Sequence, residues 1–465
     1  MIPLSLDAIA AVVRGRLADP ATGHVIVATP AVVDSRQAST SALFAAVVGD
    51  HVDGHDFASD AAARGATAAL ATRPVSGLPA VLVDDVVTAL GMLAQHVLAT
   101  LRARTAPAVI GITGSSGKTS TKDLLAQVLD GLGPTVAPAN SFNNEIGLPL
   151  TVLRADASTR HLVLEMSARG IGHIAALCAI APLDVAVVLN VGTAHVGEFG
   201  SRAAIASAKA ELLDGVVTGG HSVLNLDDPL VADMCSRARG PLTVGRAEAA
   251  DVRAADVRLD SSGCASYSLV TAQATTPVRL RLVGEHHVAN SLAAAAVALQ
   301  LGMSQDVVSA ALSAAVPRSR WRMEMRQTAD GVSLVNDAYN ANPESMRAAL
   351  AALVHIAAGR PTWAVLGQMA ELGDIAESEH AELGQHCAEL GVSHVVAVGE
   401  AAAGIARAAR AQGVDAVECV DADAAVALLR SQLQPGDTVL VKASRSVALE
   451  RVADALAPRD AGEAA

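Results

Sequence analysis

Aromatic side chains are nearly absent, with two Trp, two Tyr and four Phe in 465 residues. That scarcity removes the stacking platforms on which single-stranded nucleic acid binds. Positive charge is also short. Lys and Arg number 34 against 47 Asp and Glu, a formal charge of −13, which disfavours a nucleic-acid backbone as partner. The five cysteines, at 178, 235, 264, 387 and 419, form no C-x-x-C pair. Free thiols in a reducing compartment are therefore expected, without disulfide or cysteine-metal chemistry. The start, MIPLSLDAIA, carries Asp7 and no basic leader, so it does not read as a signal peptide. The run near 292–299, LAAAAVAL, is too short and Ala-rich to cross a bilayer. A cytoplasmic protein is expected.

Small aliphatics are abundant. Hydrophobic residues make up 51% of the chain, mostly Ala, Val and Leu. At roughly 150 residues per domain, the length suggests about three domains.

The most informative stretch is GITGSSGKTSTK, 111–122. PAVIGIT before it reads as a buried strand. KTSTKDLLAQVLDGLG after it reads as a helix, with Leu124, Leu125, Val128, Leu129 and Leu132 at helical spacing and Gly131 or Gly133 as the stop. A glycine-rich turn between strand and helix N-terminus is a phosphate cradle, because backbone N–H groups and the helix dipole converge on one point. Gly114, Ser115, Ser116, Gly117, Lys118, Thr119 and Ser120 form the expected nucleotide-binding segment, with Lys118 on the terminal phosphates and Thr119 on Mg²⁺. Two residues separate Gly114 from Gly117, where the common motif has four.

The pattern predicts an α/β protein of three domains. Residues 1–105 form a small α/β N-terminal domain, with LFAAVVG as a strand, FASDAAARGA as a helix and AVLVDD as a strand. Ser35 and Arg36, beside Asp34, are candidate anion or ribose ligands, although such residues also make ordinary surface turns. RARTAPA, 102–108, reads as a linker. Residues 106–315 form a central P-loop-type nucleotide-binding domain. Its strands HLVLEMS, VAVVLNV and SVLNLDD alternate with helices, which predicts a mainly parallel sheet with active groups at strand C-termini. Glu165 and His195 fall at such ends, and Lys209 sits in an Ala-rich helix. A carboxylate and an imidazole downstream of a phosphate loop make a plausible Mg²⁺ and phosphate site, while each alone reads as a solvated or packing residue. Asn290 lies at the start of the helix in GEHHVANSLAAAAVALQLG. Residues 316–465 form a Rossmann-like C-terminal domain, built on SLVNDAYNANPESM, TWAVLGQMAELG, HVVAVG and DTVLVKASRS, without G-x-G-x-x-G.

Together these motifs resemble the Mur ligases, ATP-dependent amide-forming enzymes of peptidoglycan synthesis, over nearly the whole chain. The resemblance implies ATP and Mg²⁺. It makes Lys118, Glu165, His195 and Lys209 catalytic, and Thr119, Glu165, His195 and Lys209 the metal set, with Lys209 carbamylated. GEHHVAN resembles the adenine motif, placing Asn290 on the nucleotide, and RME and NDAYNANPESM resemble the segments that would place Arg322 and Asp337 there. DSR…LFAAVVGDHVDGHDF resembles a uridine-nucleotide-binding domain, with Ser35 and Arg36 as its ligands. YNANP, VLGQMAELG and VKASRS are similar to the signatures of the member that joins D-alanyl-D-alanine to UDP-N-acetylmuramoyl-tripeptide through an acyl phosphate. A monomer is expected. Three positions depart from the family pattern: His287, Gln368 and Ala443 stand where Asn, Asp and Gly are usual. A ligase for a single amino acid, one acting on folate, and a non-catalytic nucleotide binder remain the alternatives.

Overall fold

The computed structural model describes residues 1–49, 51–139, 141–194 and 196–458. His195 thus lies outside the described residues. The chain is α/β, with four sheets distributed along it in three successive parts.

The central sheet has nine strands, in the order 275–283, 264–270, 252–259, 241–245, 216–225, 183–188, 108–113, 161–165, 135–136. Strand Ala108–Thr113 runs parallel to both its neighbours, with Ile112 beside Glu165 and Thr113 beside Val188. The phosphate loop therefore leaves the sheet between the strand that ends in Glu165 and the one that leads to Asn190. The order of the strands creates this crevice, where α/β sheets place their ligands. The expected parallel pattern holds across this part of the sheet. Strands Val252–Leu259, Cys264–Val270 and Thr275–Val283 then extend it as antiparallel ribbons. Their alternation, buried at Val278, Leu280 and Leu282 and exposed between, is the period of two that marks a half-buried antiparallel strand.

The C-terminal sheet has six strands, in the order 324–327, 333–336, 438–442, 362–366, 394–398, 415–419, parallel except for the first pair. The N-terminal part has a four-stranded sheet, ordered 16–17, 80–82, 68–71, 43–45, and the pair Leu4–Ser5 and Ile26–Val27. There the strand expected over LFAAVVG covers only Leu43–Ala45, and the expected helix begins as a 3₁₀ turn, Gly54–Phe57, before Ala58–Ala63.

Helix Val86–Arg104 runs into the stretch read as a linker. Asp85 caps it through Thr88 N. Among the described residues it is the one helix long and apolar enough to cross a membrane by length and composition. It buries Leu90, Leu93, Val97, Leu98 and Leu101 in a core shared with Leu148, Leu153, Leu177 and Leu183 of the central domain. Each such side chain contributes about 1.5–3 kcal/mol on burial, so this apolar seam ties the first two domains together. Few aromatics were available for these cores, and Phe44 is the one aromatic among the largest fully buried side chains.

Candidate active site

Helix Lys118–Leu129 starts without a side-chain cap, from Gly117 at φ +81°. Its first N–H groups are left for an anion. Gly117 can adopt this left-handed conformation, and a methyl group there would overlap Asn290 Oδ1. Asn190 shapes the other side of the loop. Its carbonyl accepts from Ser115 N at 3.1 Å and its Oδ1 from Ser116 N at 2.9 Å. Ser115 Oγ accepts from Gly192 N at 2.8 Å. Ser120 is half-buried in the first turn of the helix.

Lys118 folds over the loop and donates to Gly114 O at 2.6 Å. Burial lowers its pKa to about 8, opposed by Glu165 and reinforced by Arg322. Glu165 is fully buried, and desolvation raises its pKa against the pull of Lys122, Arg322 and Lys118. Its Oε2 accepts from Thr119 Oγ1 at 3.3 Å, while its Oε1 has no hydrogen-bond partner among the described residues. Thr119 Oγ1 also lies 2.9 Å from Ser141 Oγ. The guanidinium of Arg322 spans both hydroxyls, at 2.8 and 3.0 Å. A set of two hydroxyls and a carboxylate with an orphaned oxygen suits a hard divalent cation. The positive Arg322 already lies against it.

Lys209, on helix Arg202–Asp214, is 7% exposed. Burial, then repulsion from Lys118, lowers its pKa to about 7. Glu211, two residues on, points elsewhere and caps helix His173–Ile180 through Gly172 N and Ala175 N. Asn290 is buried in helix His287–Gln300 against the phosphate loop, and its Nδ2 donates to His287 Nδ1 at 3.3 Å. His287 is held well below the usual imidazole range by burial. Its departure from the family pattern thus supports Asn290 from beneath.

The C-terminal domain closes on this loop. Besides Arg322, Asn342 Nδ2 donates to Ser115 O at 3.4 Å, and Glu344 Oε1 accepts from Thr193 N at 2.8 Å. Asp337 accepts from Met323 N through Oδ1 and from Lys442 Nζ through Oδ2. Gln368 accepts from Ser444 N through its carbonyl, and Ala443 is buried beside Gly367. Among the described residues, no hydrogen bond or ion pair joins the candidates of residues 1–105, Ser35 and Arg36, to these groups. Ser35 is buried in a 3₁₀ turn capped by Asp34. Arg36 has an 81% exposed side chain paired with Asp34 at 2.8 Å.

Sequence reading missed several residues of the site. Lys122 is 1% exposed, donates to Pro138 O at 2.7 Å and pairs with Asp123 at 2.5 Å. It ties Pro138 to the phosphate-loop helix. Its signal was a lysine on the apolar side of the helix, one turn after Lys118. Asn190 and Ser141 had no local signal, because partners 74 and 22 residues away define their roles. Tyr339 lies under the Arg322 guanidinium, 4.1 Å from ring centroid to Cζ.

Three family models match the chain in succession: the Mur ligase family catalytic domain over 32–97, the Mur ligase middle domain over 112–298, and the Mur ligase glutamate ligase domain over 321–445. The chain is 47% identical to the UDP-N-acetylmuramoyl-tripeptide–D-alanyl-D-alanine ligase of Mycobacterium tuberculosis, covering 99% of each. It is similar to a crystal structure of MurF from Acinetobacter baumannii, with TM-score 0.86, 31% identity and 98% of each chain covered. It is also similar to MurF ligase from Thermotoga maritima in complex with ADP, with TM-score 0.78, 31% identity and coverage of 92% and 97%. Alike in sequence and in fold over almost its full length, the chain belongs to the Mur ligase family.

Proposed function

We propose that this chain is an ATP-dependent ligase that joins D-alanyl-D-alanine to UDP-N-acetylmuramoyl-tripeptide, completing the cytoplasmic pentapeptide precursor of peptidoglycan. The observation that carries the reading is Arg322 of the C-terminal domain on Thr119 of the phosphate loop. A cation from one domain meets the oxygens of another where a triphosphate would bind. Identity of 47% across 99% of a ligase with that substrate pair supports the choice of substrates.

The division of labour follows the three parts. Residues 1–105 bind the uridine nucleotide through Ser35 and Arg36, 106–315 bind ATP, and 316–465 close over it. Backbone N–H groups at Gly117 and Lys118 and the Lys118 ammonium hold the phosphates. Asn290 and Asp337 orient adenine and ribose, and Arg322 adds charge at the phosphates. The substrate carboxylate attacks the γ-phosphorus, ADP leaves, and an acyl phosphate results. The dipeptide amine then attacks the acyl carbon. The tetrahedral intermediate collapses to an amide, expelling phosphate. Bringing carboxylate and triphosphate together costs several kcal/mol in a dry site, which Lys118 and Arg322 offset by electrostatic preorganisation.

Thr119 and Glu165, with Ser141 beside them, would hold Mg²⁺, and the orphaned Glu165 Oε1 is the available ligand. When bound, Mg²⁺ supplies positive charge against the phosphate oxygens. His195 and Lys209 would hold a second divalent cation, as the family resemblance implies. An ammonium at Lys209 would repel both that metal and Lys118. The lowered pKa leaves a neutral Nζ available near pH 7; it adds CO₂ and releases a proton, leaving a carbamate. The carbamate reverses the sign of the charge, so Lys118 attracts it.

ADP release is the direct assay. With UDP-N-acetylmuramoyl-tripeptide and ATP, D-alanyl-D-alanine should drive turnover, and single amino acids should not. Turnover with one amino acid alone would reassign the chain to another ligase of the family. No turnover with any candidate would favour a nucleotide-binding protein without catalysis. The same reading expects a cytoplasmic monomer, where ATP and the nucleotide precursor are supplied.

A further inference from the structure

Arg322 is carried by an unusual piece of backbone. The residues on either side, Trp321 and Met323, have φ of +58° and +51°. Both are bulky, and the left-handed region is a genuine outlier for such side chains. A conformation of this kind persists only where its surroundings hold it, and four interactions do so. Tyr339 N donates to Trp321 O at 3.1 Å, and Glu324 Oε2 accepts from Trp321 N at 3.1 Å. The Arg445 guanidinium lies 4.4 Å from the Trp321 ring centroid. Met323 N donates to Asp337 Oδ1 at 3.1 Å.

Asp337 is held in turn by Lys442. This lysine ends strand Thr438–Lys442 in the C-terminal sheet and is 2% exposed. Its Nζ donates to Asp337 Oδ2 at 2.6 Å and to Asn340 O at 2.9 Å. One buried ammonium therefore ties down both ends of the Asp337–Asn340 turn. That turn supplies the acceptor for Met323 N and the Tyr339 ring under Arg322. A buried lysine so fully engaged, outside the group that meets substrate, calls for a role beyond packing.

We propose that Lys442 is a positioning residue for the ligation reaction. Through Asp337 and the Tyr339 turn it holds the left-handed Trp321–Met323 segment, so that Arg322 reaches Thr119 across the domain boundary. The proposal rests on the reading of the loop as the ATP site. Lys442 touches neither Thr119 nor the phosphate loop. Its effect on turnover is exerted through Asp337 and the Arg322 segment that Asp337 holds.

A double-mutant cycle on the full chain tests this, with Lys442→Met and Arg322→Ala made singly and together and ATP-dependent ligation measured. Lys442→Met should lower kcat about tenfold or more, with the KM for UDP-N-acetylmuramoyl-tripeptide within about twofold. In the Arg322→Ala background it should cost less than about twofold further. Adding Met323→Gly to Lys442→Met should recover activity severalfold, because glycine accepts the left-handed conformation unaided. Losses that multiply in full across the cycle, or a Lys442→Met chain as active as the parent, would overturn the proposal. Should Lys442→Met melt below the assay temperature, Lys442→Gln replaces it in the same cycle with the same expectation of non-additivity. An inert unsubstituted chain would instead overturn the ligase reading itself.

Discussion

The phosphate-loop region and the Asp34–Arg36 turn treat charge in opposite ways. Around the loop, Glu165 and Lys209 are buried and Lys118 is half-buried, and all three have pKa values moved toward their neutral forms by desolvation. At the turn, Arg36 stays exposed and is neutralised locally by Asp34, whose own pKa is lowered by that hydrogen bond. Burying ions without full pairing costs stability. Where a chain does so at one point, it marks a candidate site. An exposed arginine on its neighbouring carboxylate costs nothing and declares nothing. The anion-binding role proposed for Arg36 would require an anion to compete with Asp34.

The sharpest way to break this comparison is Lys118→Ala. ATP turnover should fall about 1,000-fold, while circular dichroism stays native and the melting temperature does not fall, since among the described residues the lysine donates to Gly114 O alone. Turnover near that of the parent would show that the buried charges are structural.

Lys209→Ala should lose about 100-fold in ligation, partly restored by acetate or formate as surrogate carboxylates. Lys209→Met should be inactive yet more stable than the parent near neutral pH, by about 1–3 kcal/mol in urea unfolding. A methionine variant less stable than the parent would mean that the native lysine is not an uncompensated buried amine.

Arg36→Ala tests the other half of the comparison. The KM for the uridine-nucleotide substrate should rise about tenfold, with kcat and melting temperature unchanged. An unchanged KM would return Asp34–Arg36 to an ordinary surface turn.

The smallest effect is in pH dependence. Lys118 and Lys209 have native pKa values of about 8 and about 7, below their ordinary value of 10.5. Over that interval the unfolded chain binds more protons than the native one, so these groups make stability rise with pH from about 7 to 10.5. Urea midpoints at pH 6.5 and 9 should show the rise, and the Lys118→Met, Lys209→Met double variant should flatten it.

The phosphate loop, its strand and its helix were legible in the sequence because their signals are local. Glycine spacing, an apolar run and a 3.6-residue period all fall within about twenty residues. The antiparallel ribbons at 252–283 were less legible. Their alternation is clear, but nothing local says they extend a parallel sheet. Ser141 and Lys122 were passed over for a related reason. A serine in a loop and a lysine on a helix have solvated readings that only packing removes.

What the sequence determined by itself was local: a glycine-rich turn between strand and helix, a lysine and a threonine at the start of that helix, and three α/β units in order. These follow from covalent neighbours, whose geometry is set by φ, ψ and helical period. Only the tertiary structure decided which of those groups meet. Sheet order brought Glu165 and Asn190 to either side of the loop, and burial shifted Lys118 and Lys209. Closure of the third domain set Arg322 on Thr119, 203 residues away. Desolvation and long-range charge depend on what surrounds a group in space, and no local pattern of residues encodes that.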